Sequence, residues 1–260
     1  MYMTNHFETG FLNTMRGVAL TAPSGLWISL LITNPGESGQ GTEVTYTGYK
    51  RQPISFTVPA MDAGLSQIAI KNDAEITFPQ APDDAGTATY IGIYDSEVGG
   101  NMWLYGEPRE PLVIEAGESP IILAQEIIFY STGNLSQAYK TKLLNVMRGQ
   151  SIQGYVPYLS LWNGSPDSGG AELTGANYAR VSFELSAPSE TESGQSMVSN
   201  TDAVNFNRPS TAWGTWSYGC VCDAASNGNA VWLWEKTPPK EIKKGYMPRV
   251  ETGGLKMAVN

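Results

Sequence analysis

Apolar residues recur at helical spacing in two places. Phe7, Phe11 and Met15 fall four apart, and so do Leu135, Tyr139, Leu143 and Met147, the spacing of one face of an α-helix. Ser136 is placed to cap the second run, and Gly17 and Gly149 to end the two. After each predicted helix the period shortens. Apolar stretches at 26–32, 49–56, 75–78, 87–95, 101–107, 112–114 and 121–129, with counterparts later in the chain, are separated by Gly, Pro, Asn and Asp clusters. This is the rhythm of short strands in a sandwich. Gly99-Gly100-Asn101 and Asn227-Gly228-Asn229 read as hairpin turns. Ile91 and Ile93 alternate with smaller residues, as on a half-buried strand. The expected fold is all-β: tandem β-sandwich, jelly-roll-like modules, each preceded by a short α-helix.

The tandem organisation comes from an internal repeat. Leu12-Asn13-Thr14-Met15-Arg16-Gly17 returns 132 positions later as Leu144-Asn145-Val146-Met147-Arg148-Gly149. Tyr49-Lys50-Arg51 is answered by Tyr178-Ala179-Arg180, and Ser55-Phe56 is matched with Ser182-Phe183, a match that implies two residues lost in between. Asn72 then pairs with Asn200, Asp95 with Asp223, and Pro111 and Pro120 with Pro239 and Pro248. Two modules are expected, 1–133 and 134–260. Arg51 and Arg180 follow a tyrosine at the same distance and are expected to do one structural job, pairing with a carboxylate or with turn carbonyls.

The chain has 260 residues, 41% hydrophobic and 16% charged, enough for packed cores. No apolar run reaches the roughly 18 residues of a membrane span, so no membrane insertion is expected. Met1 to Gly10 lack a basic and an apolar leader region, so synthesis in a cytosol is expected. The net charge of -9 is uneven: residues 1–133 carry -10 and residues 134–260 carry +1. An acidic chain is a poor nucleic-acid binder. Lys236, Lys240, Lys243 and Lys244 form a basic cluster interrupted by Pro238 and Pro239. It reads as a solvated loop or hairpin, or as a docking patch for an acidic neighbour.

Candidate chemistry is sparse. His6 is the one histidine, too few for a histidine-based triad or a catalytic zinc site. Cys220 and Cys222 flank Val221 on one strand face, where a bridge is geometrically poor; buried free thiols are expected. Asp83-Asp84 sits in a Pro-rich turn without a calcium-loop pattern, and Gly36–Gly41 has no phosphate-binding ending. Nothing singles out a carboxylate pair for glycoside hydrolysis. We therefore expect no enzyme, no catalytic, cofactor-binding or metal-binding residues, and no cofactor; a ligand-binding residue is unknown at this stage. Trp213, Trp216, Trp232 and Trp234 crowd the second module. They read as core or inter-module packing, with a stacking platform for a sugar ring as the alternative.

The ordered motifs carry a resemblance. A helix ending Met15-Arg16-Gly17 is followed by Thr21-Ala22-Pro23 and the strand Leu26–Leu30. Gly41–Val44, Gly48–Gln52, Asn72–Pro79, Gly86-Thr87, Gly92–Asp95, Gly99–Asn101 and Pro111–Glu118 come next. This set resembles small structural proteins of tailed bacteriophages, the tail fibre or minor tail proteins. The second module shares Gly175, Tyr178, Arg180, Asn200, Phe206, Trp213-Gly214-Thr215, Asp223 and Gly228-Asn229, and departs at Cys220-Val221-Cys222 and in its lysine-rich closing segment. The resemblance implies a non-enzymatic structural protein of a bacteriophage virion, in the tail, baseplate or tail fibre, made in the host bacterial cytoplasm and acting through assembly contacts. Its partners would be other virion proteins and further copies of itself. The expected homo-oligomer is a trimer with pseudo-six-fold arrangement, in which unlike modules alternate. Alternative readings are a capsid decoration or spike protein, and a glycan-binding host-adhesion protein.

Overall fold

The computed structural model describes residues 1–192 and 194–259. Among them the chain is mostly β, with two α-helices and seven small antiparallel sheets. Helix α1 spans Asn5–Thr14 and α2 spans Gln137–Val146. Phe7, Phe11 and Met15 are fully buried, and Tyr139, Leu143 and Met147 nearly so. Ser136 caps α2, its Oγ accepting from the Tyr139 amide at 3.2 Å. Thr4, at the matching place before α1, donates instead to the Met102 carbonyl at 2.6 Å. Both helices end where Gly17 and Gly149 take φ +83°, a conformation that costs glycine little.

The rest of each repeat is one long antiparallel ribbon. In the first, Gln67–Lys71, Ile76–Thr77, Gly86–Ala88 and Tyr90–Tyr94 form one leg. They pair in reverse order with Ile128–Tyr130, Ile121–Ile122, Leu112–Ile114 and Met102–Gly106. Gly99 and Gly100, both at positive φ, make the fold-back. The second repeat nests in the same way. Ser196–Ser199 pairs with Lys256–Ala258, Val204–Asn205 with Arg249–Val250, and Gly214–Cys222 with Ala230–Ile242.

Several sequence expectations need correction. Two continuous face-to-face sheets do not form as such, because the ribbon is interrupted. The expected strand 87–95 breaks at Thr89, whose amide turns to the Leu31 carbonyl. Gly86–Ala88 and Tyr90–Tyr94 then serve different sheets. The stretch 121–129 breaks near Gln125, at φ 65°. Of 49–56 only Gln52–Pro53 pairs as a strand, since proline brings no ladder donor and Tyr49 turns its hydroxyl to the Leu30 amide. The repeat register also changes: Phe56 bridges Asn72 as Leu185 bridges Asn200. Leu185, not Phe183, is the counterpart of Phe56, and no residues are lost at Phe56.

One buried asparagine stitches each ribbon. Asn72 donates from Nδ2 to the Ala74 and Leu123 carbonyls, both at 2.8 Å, and accepts the Ile127 amide at 2.8 Å. Asn200 does the same with Asp202, Glu251 and Leu255, at 2.7, 2.8 and 2.8 Å.

The repeats hold each other reciprocally. Leu20 and Ile152 exchange both backbone hydrogen bonds, at 2.8 and 2.9 Å. Arg16 Nε donates to the Leu185 carbonyl and Arg148 Nε to that of Phe56, both at 3.3 Å. Helix α1 packs on Ser196–Ser199 of the other repeat, and α2 on Gln67–Lys71. Equivalent surfaces therefore meet in both directions, which is an approximate two-fold relation. A pseudo-six-fold ring requires head-to-tail contacts between successive modules, so the contact within the chain does not belong to the pseudo-six-fold arrangement expected above.

Replacing Asn72 or Asn200 by Ala removes three hydrogen bonds and leaves the Ile127 or Leu255 amide buried without a partner. Each substitution should lower stability by about 2–4 kcal/mol, read as a shift in a denaturant-unfolding midpoint at constant slope.

Candidate functional site

The retained residues form a skeleton. Arg51 Nε donates to Glu43 at 3.1 Å, and its Nη1 to the Ser96 and Gly99 carbonyls at 2.9 and 2.6 Å. Arg180 donates to Glu172 through Nε and Nη2, at 3.0 and 2.8 Å, and to the Ala224 carbonyl at 2.9 Å. Each planar fork ties a carboxylate to the hairpin turn, the shared job expected from the sequence. The Cys220–Cys222 departure follows from packing around this arginine. Arg51 stacks on the Tyr94 ring, 3.4 Å from its centroid, and that ring lies against Gly92. In the second repeat Cys222 stands at the Tyr94 position, and Cys220 at the Gly92 position occupies space that the ring has left. Both thiols are free and buried, and burial raises their pKa values, which makes them poor nucleophiles.

Asp95 and Asp223 lock the hairpins by accepting the Asn101 and Asn229 amides at 2.8 and 2.6 Å. Their other oxygens differ in partner. Asp95 accepts the Trp103 indole N–H at 3.2 Å. Asp223, facing Val231 instead of an indole, accepts the Tyr139 hydroxyl at 2.8 Å and Lys142 at 3.4 Å. This opens a cleft of about 410 Å³ lined by Tyr139, Lys142, Gln150, Gln153, Tyr155 and Asp223. The first repeat has Phe7, Gly10, Val18, Thr21, Pro23 and Asp95 at these places. The lining is thus far more polar in the second repeat, which was not legible in the sequence because its residues lie far apart in the chain.

The tryptophans do not form an exposed platform. Trp213, Trp216 and Trp232 are buried, and Trp213 donates to the Ala176 carbonyl at 3.0 Å. Trp234, half-buried, lies flat on Gly219, where a Cβ would fall 2.1 Å from the ring. Packing is the reading that holds. Lys240, Lys243 and Lys244 are exposed and Lys236 half-buried. Lys243 and Lys244 sit in the turn between Ala230–Ile242 and Arg249–Val250, but Lys236 and Lys240 do not lie in a loop. The strand Ala230–Ile242 runs through Pro238 and Pro239, and its register shifts opposite Ser217, so that residues 236–239 bulge outward. His6 is exposed, its ring edge-on to Trp103 at 5.1 Å. Asp84 accepts the Ala116 amide at 2.9 Å, across the ribbon and not within its own turn. Among the described residues no three His, Cys, Asp or Glu side chains are grouped to hold a metal ion, and no helix is long and apolar enough to cross a membrane.

An acidic junction between the repeats was not visible in the sequence. Glu8 on α1 is fully buried and accepts the Ser196 amide at 2.7 Å. Asn5 reaches Glu190 at 2.6 Å. Among the described residues, Glu8 Oε1, Asn5 Oδ1 and Glu37 Oε2 are buried without a hydrogen-bond partner. Burial, with Glu37 and Glu190 nearby, pushes the Glu8 carboxyl up to about 7, against the lowering effect of its Ser196 bonds.

Two segments of the chain, residues 2–129 and 134–258, each match the family described as podophage GP4 fiber I protein gp80. The chain belongs to this family. It is a phage fibre protein and a virion component, with the family unit present twice in tandem. No curated protein matches it. Each copy of the gp80 family unit therefore spans one ribbon with its helix, and the residues kept in both copies are the structural locks described above.

A raised carboxyl pKa stabilises the fold only where the acid stays protonated. Below about 4.5 the folded and unfolded chains both hold the Glu8 proton. As pH rises to about 7 the unfolded chain loses it first, so stability should fall across this window, by about 2 kcal/mol after allowance for screening. Glu8→Gln should flatten that slope and leave stability at pH 4 unchanged. Denaturant unfolding at a series of pH values checks both.

Proposed function

We propose that this chain is a non-enzymatic structural component of a phage tail fibre that works through assembly contacts as a homo-oligomer. The carrying observation is the reciprocal lock between the repeats. Each helix is clasped by the opposite repeat's sheet, so the chain behaves as one rigid block. The block comprises two modules, 1–133 and 134–260, each read as a jelly-roll-like sandwich. The nested pairing of ribbon legs supports that reading, since rolling such a ribbon gives a jelly roll. Its ends are unlike: an acidic first module and a slightly basic second one, which favours unlike neighbours and sets register more than affinity. A trimer built of these pseudo-two-fold blocks is the expected assembly. Native mass spectrometry of the purified chain should give a trimer, and virion density should place it in the tail. A chain that stays monomeric at tens of micromolar, or density on the capsid, would count against the proposal.

A second reading, contact with a host-surface glycan, is favoured by the polar cleft of the second repeat. Lys142, Gln150 and Gln153 offer ammonium and amide groups around a saccharide-sized space that Tyr139 and Tyr155 also line. On this reading a glycan array should give hits that Gln153→Ala with Lys142→Ala abolishes. A blank array with folded protein would remove it.

A further inference from the structure

The two repeats act as controls for each other, because each position on one ribbon has a counterpart in the same fold. On the return leg of the first repeat, Val113, Ile121 and Leu123 stand 61%, 43% and 58% exposed. Their counterparts in the second repeat are Glu241, Arg249 and Glu251. There Arg249 pairs with Glu251 at 2.7 Å and Glu241 with Lys243 at 3.3 Å, on the surface. The leg therefore tolerates a fully charged outer face, and the fold does not require apolar residues at these places. Exposed valine, isoleucine and leucine there are a feature of the first repeat alone, and such patches mark contact surfaces.

The surroundings indicate what covers the patch. Ile121 and Leu123 stand two apart where the strand Ile121–Ile122 ends, and both are exposed around the buried Ile122. Ile121 lies opposite Thr77, and the same register brings Glu75 opposite Leu123. The Leu123 amide is bonded to the Glu126 carboxylate at 2.9 Å, and Glu115 and Glu118 are exposed between the two strands of the leg. From Asn72 to Tyr139 the chain carries eleven Asp and Glu and one cation, Arg109. A partner for this face brings apolar groups ringed by positive charge. The second repeat presents that combination at Lys240–Met247. Lys240, Lys243 and Lys244 are exposed beside Tyr246 and Met247, themselves 37% and 44% exposed. Lys240 lies over the Tyr246 ring at 4.1 Å, so the cation and the apolar surface are held together.

Resting on the homo-oligomer reading, we propose that segment Lys240–Met247 of a second copy docks on the acidic, apolar leg formed by Val113, Ile121 and Leu123. Tyr246 and Met247 cover the aliphatic side chains, and the lysines face Glu75, Glu115, Glu118 and Glu126. Each copy offers one surface of each kind, so the contact is head-to-tail and propagates until a ring closes.

The test borrows residues that this fold already accepts. Variant one carries Val113→Glu, Ile121→Arg and Leu123→Glu, the second repeat's own choices. Variant two carries Lys243→Glu and Lys244→Glu. Sedimentation at physiological salt should show the unaltered chain as an oligomer and each variant as a monomer. Self-association should weaken by roughly thirty-fold or more for variant one. An equal mixture of the two variants has one intact pair of complementary surfaces and should stop at a dimer. High salt should weaken the unaltered assembly by screening the lysines. If both variants stay oligomeric with unchanged melting, the contact lies elsewhere, although the chain still associates. If variant two alone still associates, or the mixture forms no dimer, the patch does not meet the lysine segment of another copy. A monomeric unaltered chain overturns the homo-oligomer reading itself, and this contact with it.

Discussion

A ten-residue amphipathic helix is too short to stand alone in water. Each helix here survives because two sheets from two repeats close on it, and most of the architecture follows from that constraint. Helix α1 lies between Met102–Gly106 of its own ribbon and Ser196–Ser199 of the other, and α2 lies in the corresponding place. Its last turn then stands next to the opposite repeat, where Arg16 or Arg148 satisfies a strand carbonyl. Neither repeat has a complete core without its sister. That is a physical reason for the units to persist as a pair, and for the linking backbone bridge between Leu20 and Ile152 to be made in both directions.

Within this arrangement, divergence is compensated locally. An indole N–H on Asp95 in one repeat becomes a tyrosine hydroxyl on Asp223 in the other, supplied by the helix where the strand has lost it. A tyrosine packed on a glycine becomes a pair of cysteines at the same two places. In each case the buried acceptor stays satisfied or the volume stays filled. An unpaired buried carboxylate or a cavity would cost more than the substitutions themselves. The Glu8 junction is the exception. Its orphan oxygens stay without partners where the two repeats meet, and burial raises its carboxyl pKa.

Much of the scaffold was legible in the sequence because it depends on local signals used twice. The Met-Arg-Gly ends fix the helices. The arginine after a tyrosine locates the turn lock, and the hairpin glycines locate the fold-back. What was not legible depends on partners distant in the chain. Strand 87–95 reads as continuous, and only the Leu31 carbonyl, placed by the fold, divides it at Thr89. The match of Phe56 with Phe183 follows residue type. The observed match with Leu185 follows which residue bridges the buried asparagine. Lys243 and Lys244 lie in a turn, as the sequence suggests, but Lys236 and Lys240 belong to a strand that two prolines argue against. The ladder simply skips the prolines, with the register shift opposite Ser217. The cleft around Tyr139 and Tyr155 brings together a helix, a linker and a hairpin that nothing in local periodicity connects.

The pattern of retention and change says where the two repeats differ in function. Arg51 and Arg180, Asn72 and Asn200, and Asp95 and Asp223 keep their bonds nearly atom for atom. Buried polar groups leave little freedom, because losing one partner exposes the full desolvation penalty of the other. The outer legs have no such constraint, and there the repeats part. One has become acidic with bare aliphatic side chains, and the other basic with ion pairs and a protruding lysine segment. Neutral drift on a solvated surface trades one polar residue for another at little cost. It does not by itself concentrate valine, isoleucine and leucine on one leg, since exposed apolar patches carry an association penalty unless something covers them. A rigid two-fold core with two dissimilar outer faces is the form expected of a block whose interior is fixed by folding and whose exterior is shaped by its neighbours.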